Sequence, residues 1–238
     1  MSDVSALMGA VAEGRTRVEE AGLAGMIPLR GALSSSKLVA AVTGLAGVEM
    51  PGQQEIKTGD DKAVAWMSRD ELLIMVPHEE ADGAVATLSA ALAGEHATVA
   101  NVSDARALFR VEGPHAREAL AKLTPVDLHP LSFGAGEMRR TRMAQVPAAI
   151  WQSGEDQFSV ICFRSVAQYV FGLLALSAKD GSGVGYFCSS TVRRESGFET
   201  ALSRAFEGAS ERAFEGPFFM ALRSAIPGRQ RGQHELAE

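Results

Sequence analysis

Little in this chain is suited to metal or redox chemistry. It has two cysteines, Cys162 and Cys188, and five scattered histidines with no H-x-x-x-H or paired-Cys spacing. Metal sites need such clusters, so neither a structural nor a catalytic metal is expected. The cysteines form no C-x-x-C motif and no disulfide framework, which fits a reducing compartment. Cys162 alternates with Phe158 and Val160 and reads as a small buried hydrophobe. Long apolar runs are missing too: the best uncharged stretch, Ser165–Ala178, falls short of the roughly 18 residues that cross a bilayer. The first residues include Asp3 and Glu13 and no leader-like apolar run, so a soluble, cytoplasmic protein with no membrane partner is expected. Excess positive charge is absent, and a formal charge of −6 argues against nucleic acid as a partner. No G-x-S-x-G elbow occurs. The loop Gly181-Ser182-Gly183-Val184-Gly185 follows a helix pattern instead of a strand, so it fails the context of a dinucleotide loop and reads as an exit loop.

What is present is a large apolar fraction, 46% of 238 residues, enough to build a core without staples. The clearest local signal is Asn101–Leu131. Across Arg106–Glu112 the side chains alternate, with Ala107, Phe109 and Val111 on one face and Arg106, Leu108, Arg110 and Glu112 on the other, as in a strand with one face on a core. Gly113-Pro114 breaks the ladder, and Pro114 suits the first position of a helix whose stripe is Ala116, Leu120 and Leu123. Upstream, Leu23–Leu33 reads as extended and Ser34–Val48 as a helix ended by Pro51-Gly52. Ala63–Met67 and Glu71–Val76 form a hairpin, Asp82–Leu92 a helix, and His96–Val102 a strand. The second half repeats this grammar. Glu137–Met143, Val146–Gln152 and Gln157–Phe163 are strands, and Ser165 with Gln168 forms a capping box that opens the last helix. The order predicts an α+β fold of antiparallel or mixed sheets, with helices on one face and ferredoxin-like split β-α-β units. Residues 1–22 read as an N-terminal arm, 23–187 as the α+β domain, and 188–238 as a flexible C-terminal appendage. That last segment holds seven Arg and seven Glu but no Lys or Asp, and repeats Arg-Ala-Phe-Glu-Gly at 204 and 212. Its alternative reading is a docking arm anchored by Phe218 and Phe219.

The landmarks also carry a resemblance. They are Trp66 before Arg69-Asp70-Glu71-Leu72-Leu73, the Val102-Ser103-Asp104 approach, V-x-G-P-H-A-R at Val111–Arg117, D-L-x-P-L-x-F at Asp127–Phe133, then Gly136, Thr141 and Arg164–Tyr169. In this order, over roughly Leu23–Phe187, they resemble the gamma subunits of heterotetrameric sarcosine oxidases, within the folate-binding aminomethyltransferase superfamily. The resemblance implies the fold of the folate-binding part of aminomethyltransferases. It also implies membership of an oxidoreductase complex that acts on the CH–NH group of sarcosine with oxygen as acceptor. Sarcosine becomes glycine, the one-carbon unit becomes 5,10-methylenetetrahydrofolate or formaldehyde, and hydrogen peroxide is released. FAD, FMN, NAD, zinc and tetrahydrofolate are then expected on partner subunits, alpha, beta and delta. No catalytic, cofactor-binding or metal residue is expected on this chain. Two alternatives stay open: a stand-alone folate-binding aminomethyltransferase-like protein, and a non-catalytic adapter of another complex. The longer transferases and the K-G-C-[YF]-x-G-Q-E repair signature are not matched here.

Four residues are candidates for an interface: Trp66, Arg106, Arg110 and Trp151. Trp is enriched at interfaces but also caps cores. Arginines opposite an apolar strand face either line a solvated surface or pair with an acidic partner. Asp104 reads as a turn residue, or else as a carboxylate for an amine or pterin. His115, after Pro114, reads as a neutral half-exposed side chain.

Overall fold

Alternating apolar residues build two antiparallel sheets, described for residues 4–187 by the computed structural model. The five-stranded sheet contains β3 (Gly25–Arg30), β4 (Ile56–Thr58), β5 (Ala63–Ser68), β6 (Glu71–Val76) and β7 (Thr98–Val99), in the order β4-β5-β6-β3-β7. The six-stranded sheet contains β1 (Val11–Ala12), β2 (Arg17–Glu20), β8 (Arg106–Glu112), β9 (Met138–Met143), β10 (Val146–Gly154) and β11 (Gln157–Phe163), in the order β1-β2-β8-β11-β10-β9. Helices α1 (Ser36–Ala46) and α2 (Ala81–Ala91) cover the first sheet, and α3 (Ala116–Ala121) and α4 (Ala167–Ala178) cover the second. The remaining faces pack on each other through Met26, Ile56, Ala65, Leu73, Met138, Ala149, Trp151 and Ile161. Four layers result, helices outside and sheets inside. A strand buried on both faces must be apolar throughout, as β6 is: Leu72 and Ile74 meet the helices while Leu73 meets the other sheet.

The two sheets are built to one plan. Strands β5-β6-β3-β7 and β10-β11-β8-β2 have the same antiparallel order, with β4 and β9 as matching fifth strands. The cross-strand triplet Val64, Ile74, Ile27 in one sheet corresponds to Ile150, Val160, Phe109 in the other. The pairing Leu29–Val99 likewise corresponds to Val111–Val18. At the junction Glu55 bridges Glu137 antiparallel, Ile56 N–H donates to Gly136 O at 2.9 Å, and Met138 N–H donates to Gln54 O at 2.8 Å. The equivalent strands β4 and β9 therefore meet on an approximate twofold axis. The expected α+β class and split β-α-β units are what this topology is. Among the described residues, the four helices lie on the outer faces of the sheets, two on each.

Several expectations need correction. The supposed arm over residues 1–22 contains β2, which takes in the second sheet the place that β7 holds in the first. Its pairing with β8 buries Val18 completely, so the sheet would be incomplete without it. Helix α1 ends at Gly47, whose φ of 68° is the left-handed conformation that glycine adopts without strain, well before Pro51. Ser165 does not cap α4: it sits inside a tight turn, Arg164–Val166, and Val166 precedes the helix without a side-chain cap. The strand expected over 96–102 shrinks to β7, because Asn101 and Ser103 turn the chain. Ser103 Oγ accepts Met26 N–H at 3.0 Å and donates to Asn101 Oδ1 at 2.6 Å. The appendage over 188–238 lies outside the described residues.

Candidate functional site

Where the inter-sheet core reaches the surface, charged side chains from both sheets converge. Glu71 opens β6, and its neighbour across the ladder on β3 is Arg30. The Glu71 side chain is only 9% exposed, and its Oε2 accepts from Arg30 Nη2 at 2.9 Å. From the opposite sheet, Arg140 Nη1 approaches the same oxygen at 3.8 Å. Arg106 stands nearby at the start of β8, its guanidinium 4.4 Å from the centre of the Phe163 ring, which remains 42% exposed. Burial lowers the Arg106 pKa, with Glu71 opposing that fall and Arg140 adding to it. Arg106 Nε is buried with no hydrogen-bond partner. Arg142, two residues along β9 from Arg140 on the same face, is exposed. One buried carboxylate thus sits among several arginines. An arrangement of this kind, with arginines in excess of the one carboxylate, is suited to holding an anion.

Elsewhere, polar side chains hold chain segments in place. Arg117 Nη1 donates to Leu128 O at 2.6 Å and Phe133 O at 2.8 Å, Nη2 donates to Gln152 Oε1 at 3.1 Å, and the guanidinium lies over Phe158. Glu118, 4% exposed, accepts the N–H groups of Val184 at 2.5 Å and Gly185 at 3.4 Å, with Arg15 at 3.8 Å. The glycine-rich exit loop therefore binds an internal carboxylate through its backbone. Beside it, Ala121, Lys122, Val126, Leu128, Tyr186 and Phe187 line an open groove of about 450 Å³. Cys162 is fully buried in the helix-side core, and burial pushes its thiol up to about 12, far from the thiolate form. Among the described residues, no three His, Cys, Asp or Glu side chains group as a metal would require. Also among the described residues, no helix is long and apolar enough to cross a membrane.

The four candidate interface residues do not form one patch. Trp151 is 6% exposed inside the inter-sheet core, so it cannot be a surface anchor. Trp66 is half-buried at the end of β5, beside a bulge. Arg110 is exposed, but it lies towards the far end of β8 from Arg106, between Glu19 and Ser159 and 3.7 Å from Glu112. Only Arg106 belongs to the charged rim. Arg30 is not among the sequence candidates, and Glu71 enters there only as part of the Arg69–Leu73 landmark. A charged residue opening the otherwise apolar Glu71–Val76 was the available hint, but its partners come from three other strands. Asp104 lies in the turn Ser103–Ala105, as a turn residue should. His115 has Arg15 Nη2 at 3.2 Å from its ring, a neighbour that sequence separation conceals.

These features define a two-sheet α+β scaffold whose internal polar groups fasten its own loops and whose charged rim faces outward. A family model described as the sarcosine oxidase, gamma subunit family matches residues 30–180. The chain belongs to that family. It is 31% identical over 169 residues to the sarcosine oxidase subunit gamma of Corynebacterium sp. (strain P-1), a match spanning 68% of this chain and 82% of that one. It is 35% identical over 124 residues to the counterpart from Arthrobacter sp., where the match spans 51% of this chain and 60% of the relative. Among solved structures, a chain of the heterotetrameric sarcosine oxidase from Corynebacterium sp. U-96 superposes with a TM-score of 0.64 at 29% identity, over 71% of this chain and 86% of that one. An aminomethyltransferase from Saccharopolyspora erythraea is 32% identical over 141 residues, 58% of this chain but 38% of its own length.

Proposed function

We propose that this chain is the gamma subunit of a heterotetrameric sarcosine oxidase, which it serves as an assembly and positioning scaffold. In this reading the complex oxidises sarcosine to glycine, reduces oxygen to hydrogen peroxide, and passes the one-carbon unit to tetrahydrofolate or releases it as formaldehyde. FAD, FMN, NAD, zinc and tetrahydrofolate belong to the alpha, beta and delta subunits, and the whole works in the cytoplasm. The gamma chain contributes shape, holding cofactor-bearing partners in register. The observation that carries the reading is the likeness to a chain of a solved heterotetrameric sarcosine oxidase, over 71% of this chain and 86% of that one.

Co-expression with alpha, beta and delta subunits of a heterotetrameric sarcosine oxidase should yield a stoichiometric complex that forms peroxide from sarcosine. The purified chain alone should carry no flavin absorbance and form none. Sarcosine-dependent peroxide, or methylene transfer to tetrahydrofolate, by the isolated chain would favour the stand-alone transferase reading suggested by the aminomethyltransferase relatives. A stable chain that ignores all three partners would make it an adapter of another complex.

A further inference from the structure

We infer that the rim formed by Arg30, Arg106, Arg140 and Arg142 around Glu71 and Phe163 is the surface on which a carboxylate-bearing segment of a partner subunit docks. The inference rests on the scaffold reading above and adds where the partner binds and by what chemistry.

Three observations lead there. The first is an imbalance of charge in a chain whose overall formal charge is −6. Arg30 and Arg140 share Glu71, and Arg106 and Arg142 add two more positive charges on the same side. Asp70, in the adjacent turn, accepts from Ser68 Oγ and faces Arg30, yet it offsets only one of them. Arginine guanidinium is the group best shaped to take a carboxylate in a paired fork, so excess arginines around a filled carboxylate leave donors for a second one.

The second observation is that the fold supplies its own control. The twofold plan that relates the sheets gives this rim an equivalent at the opposite edge of the inter-sheet layer. Following the strand registers, Arg30, Glu71 and Arg140 correspond to Glu112, Gln157 and Thr58; counting on along the chain past the strand ends, Arg106 and Arg142 correspond to Ala24 and to Asp60 in the β4–β5 turn. There Glu112 has Arg17 as its cross-strand neighbour, and Arg17 is itself taken by Glu13 and Glu19. Arg110 also approaches Glu112, at 3.7 Å, but the places of Arg106, Arg140 and Arg142 hold no arginine there, so the architecture itself does not require the excess of arginines that surrounds Glu71.

The third observation is incompleteness. Arg106 Nε is buried without a partner, a costly state for a charged group, and the Phe163 ring that its guanidinium covers is 42% exposed. An aromatic ring beneath an arginine, partly open to solvent, is a common kind of anchor at protein interfaces. A partner segment whose acid meets the rim arginines, and whose neighbouring apolar atoms cover Phe163, would offset the excess charge and shield the exposed ring.

The test uses the full chain with its co-expressed partner subunits. Arg140→Glu with Arg142→Glu reverses two exposed members and leaves the buried Glu71–Arg30 pair in place. Affinity for the partner subunits should fall about tenfold or more, and the salt dependence of binding should weaken. Phe163→Ser tests the apolar component and should also weaken binding. Thr58→Arg with Asp60→Arg, at the equivalent rim, should change neither. Melting curves check that each variant folds. If wild type fails to bind the other subunits at all, the scaffold reading fails. If wild type binds and the rim reversal binds equally well, or the control rim matters as much, the scaffold reading survives and this inference is overturned. Self-association of the isolated chain that the reversal abolishes would assign the rim to a second copy. Citrate stabilisation of the isolated chain that the reversal abolishes, with partner binding unchanged, would assign it to a small anion. Either result overturns the inference.

Discussion

Glu118 shows how a single buried charge can be both stable and useful. The amides of Val184 and Gly185 hold its carboxyl below the usual glutamate range; burial opposes this, and Arg15 and Lys122 assist. Because the folded pKa lies below the unfolded one, the stabilisation is complete above the ordinary glutamate value near 4.5 and is lost as pH falls through it towards the folded value. Glu118→Gln should cost about 1–3 kcal/mol at neutral pH, the range for leaving buried polar groups poorly matched. Wild-type stability should then fall more steeply than the variant's between pH 5 and pH 3, so that the two urea midpoints converge. Midpoints that stay parallel over that range would assign the acid sensitivity to another carboxylate. The sequence hid this residue, since Glu118 sits in a helix turn where exposed acids are ordinary. Only the return of the chain at Val184, after α4, converts it into a clasp.

At the level of elements, β2 is the least visible strand and one of the more consequential. Val18 is the only apolar residue of Arg17–Glu20, and its neighbours are charged, so nothing in the local pattern separates it from a solvated arm. Its place is decided by β8, whose second edge needs a partner and whose Val111 needs a cover. Val18→Asp would bury an unpaired carboxylate in the helix-side core, at a cost of roughly 3 kcal/mol or more. The expected outcome is a large drop in urea midpoint. An exposed position on β1 such as Val11→Asp should be nearly silent, and equal effects at the two sites would show that β2 is not docked as described. By contrast, β8, β11 and the α3 stripe were legible because a period of two or of 3.6 carries burial directly. The capping box at Ser165 misled because the same residues also fit a tight turn before the helix. Trp151 misled for a different reason: an antiparallel strand covered on both faces has no solvent side, and nothing in β10 alone announces the second sheet.

That second sheet is what makes the molecule a whole. The repeated grammar of the two halves was readable along the chain, but their face-to-face packing was not, because it depends on matching β4 and β9 edges brought together at Glu55 and Glu137. The inter-sheet core joins residues from both halves, so neither half keeps a complete core once the other unfolds. Nature has placed one tryptophan in each half, Trp66 on β5 and Trp151 on β10, and each reports its own sheet. In the single-tryptophan variants Trp66→Phe and Trp151→Phe, fluorescence and far-UV circular dichroism should follow one coincident urea transition. Trp151→Phe should unfold at lower urea than Trp66→Phe, because its ring fills the shared layer whereas Trp66 is half-exposed. Two separated transitions, with the Trp66 sheet outlasting the Trp151 sheet or the reverse, would mean that the layers are independent modules merely resting on one another. A scaffold of that kind could not hold a rim assembled from both sheets in fixed geometry, whereas a single cooperative unit can.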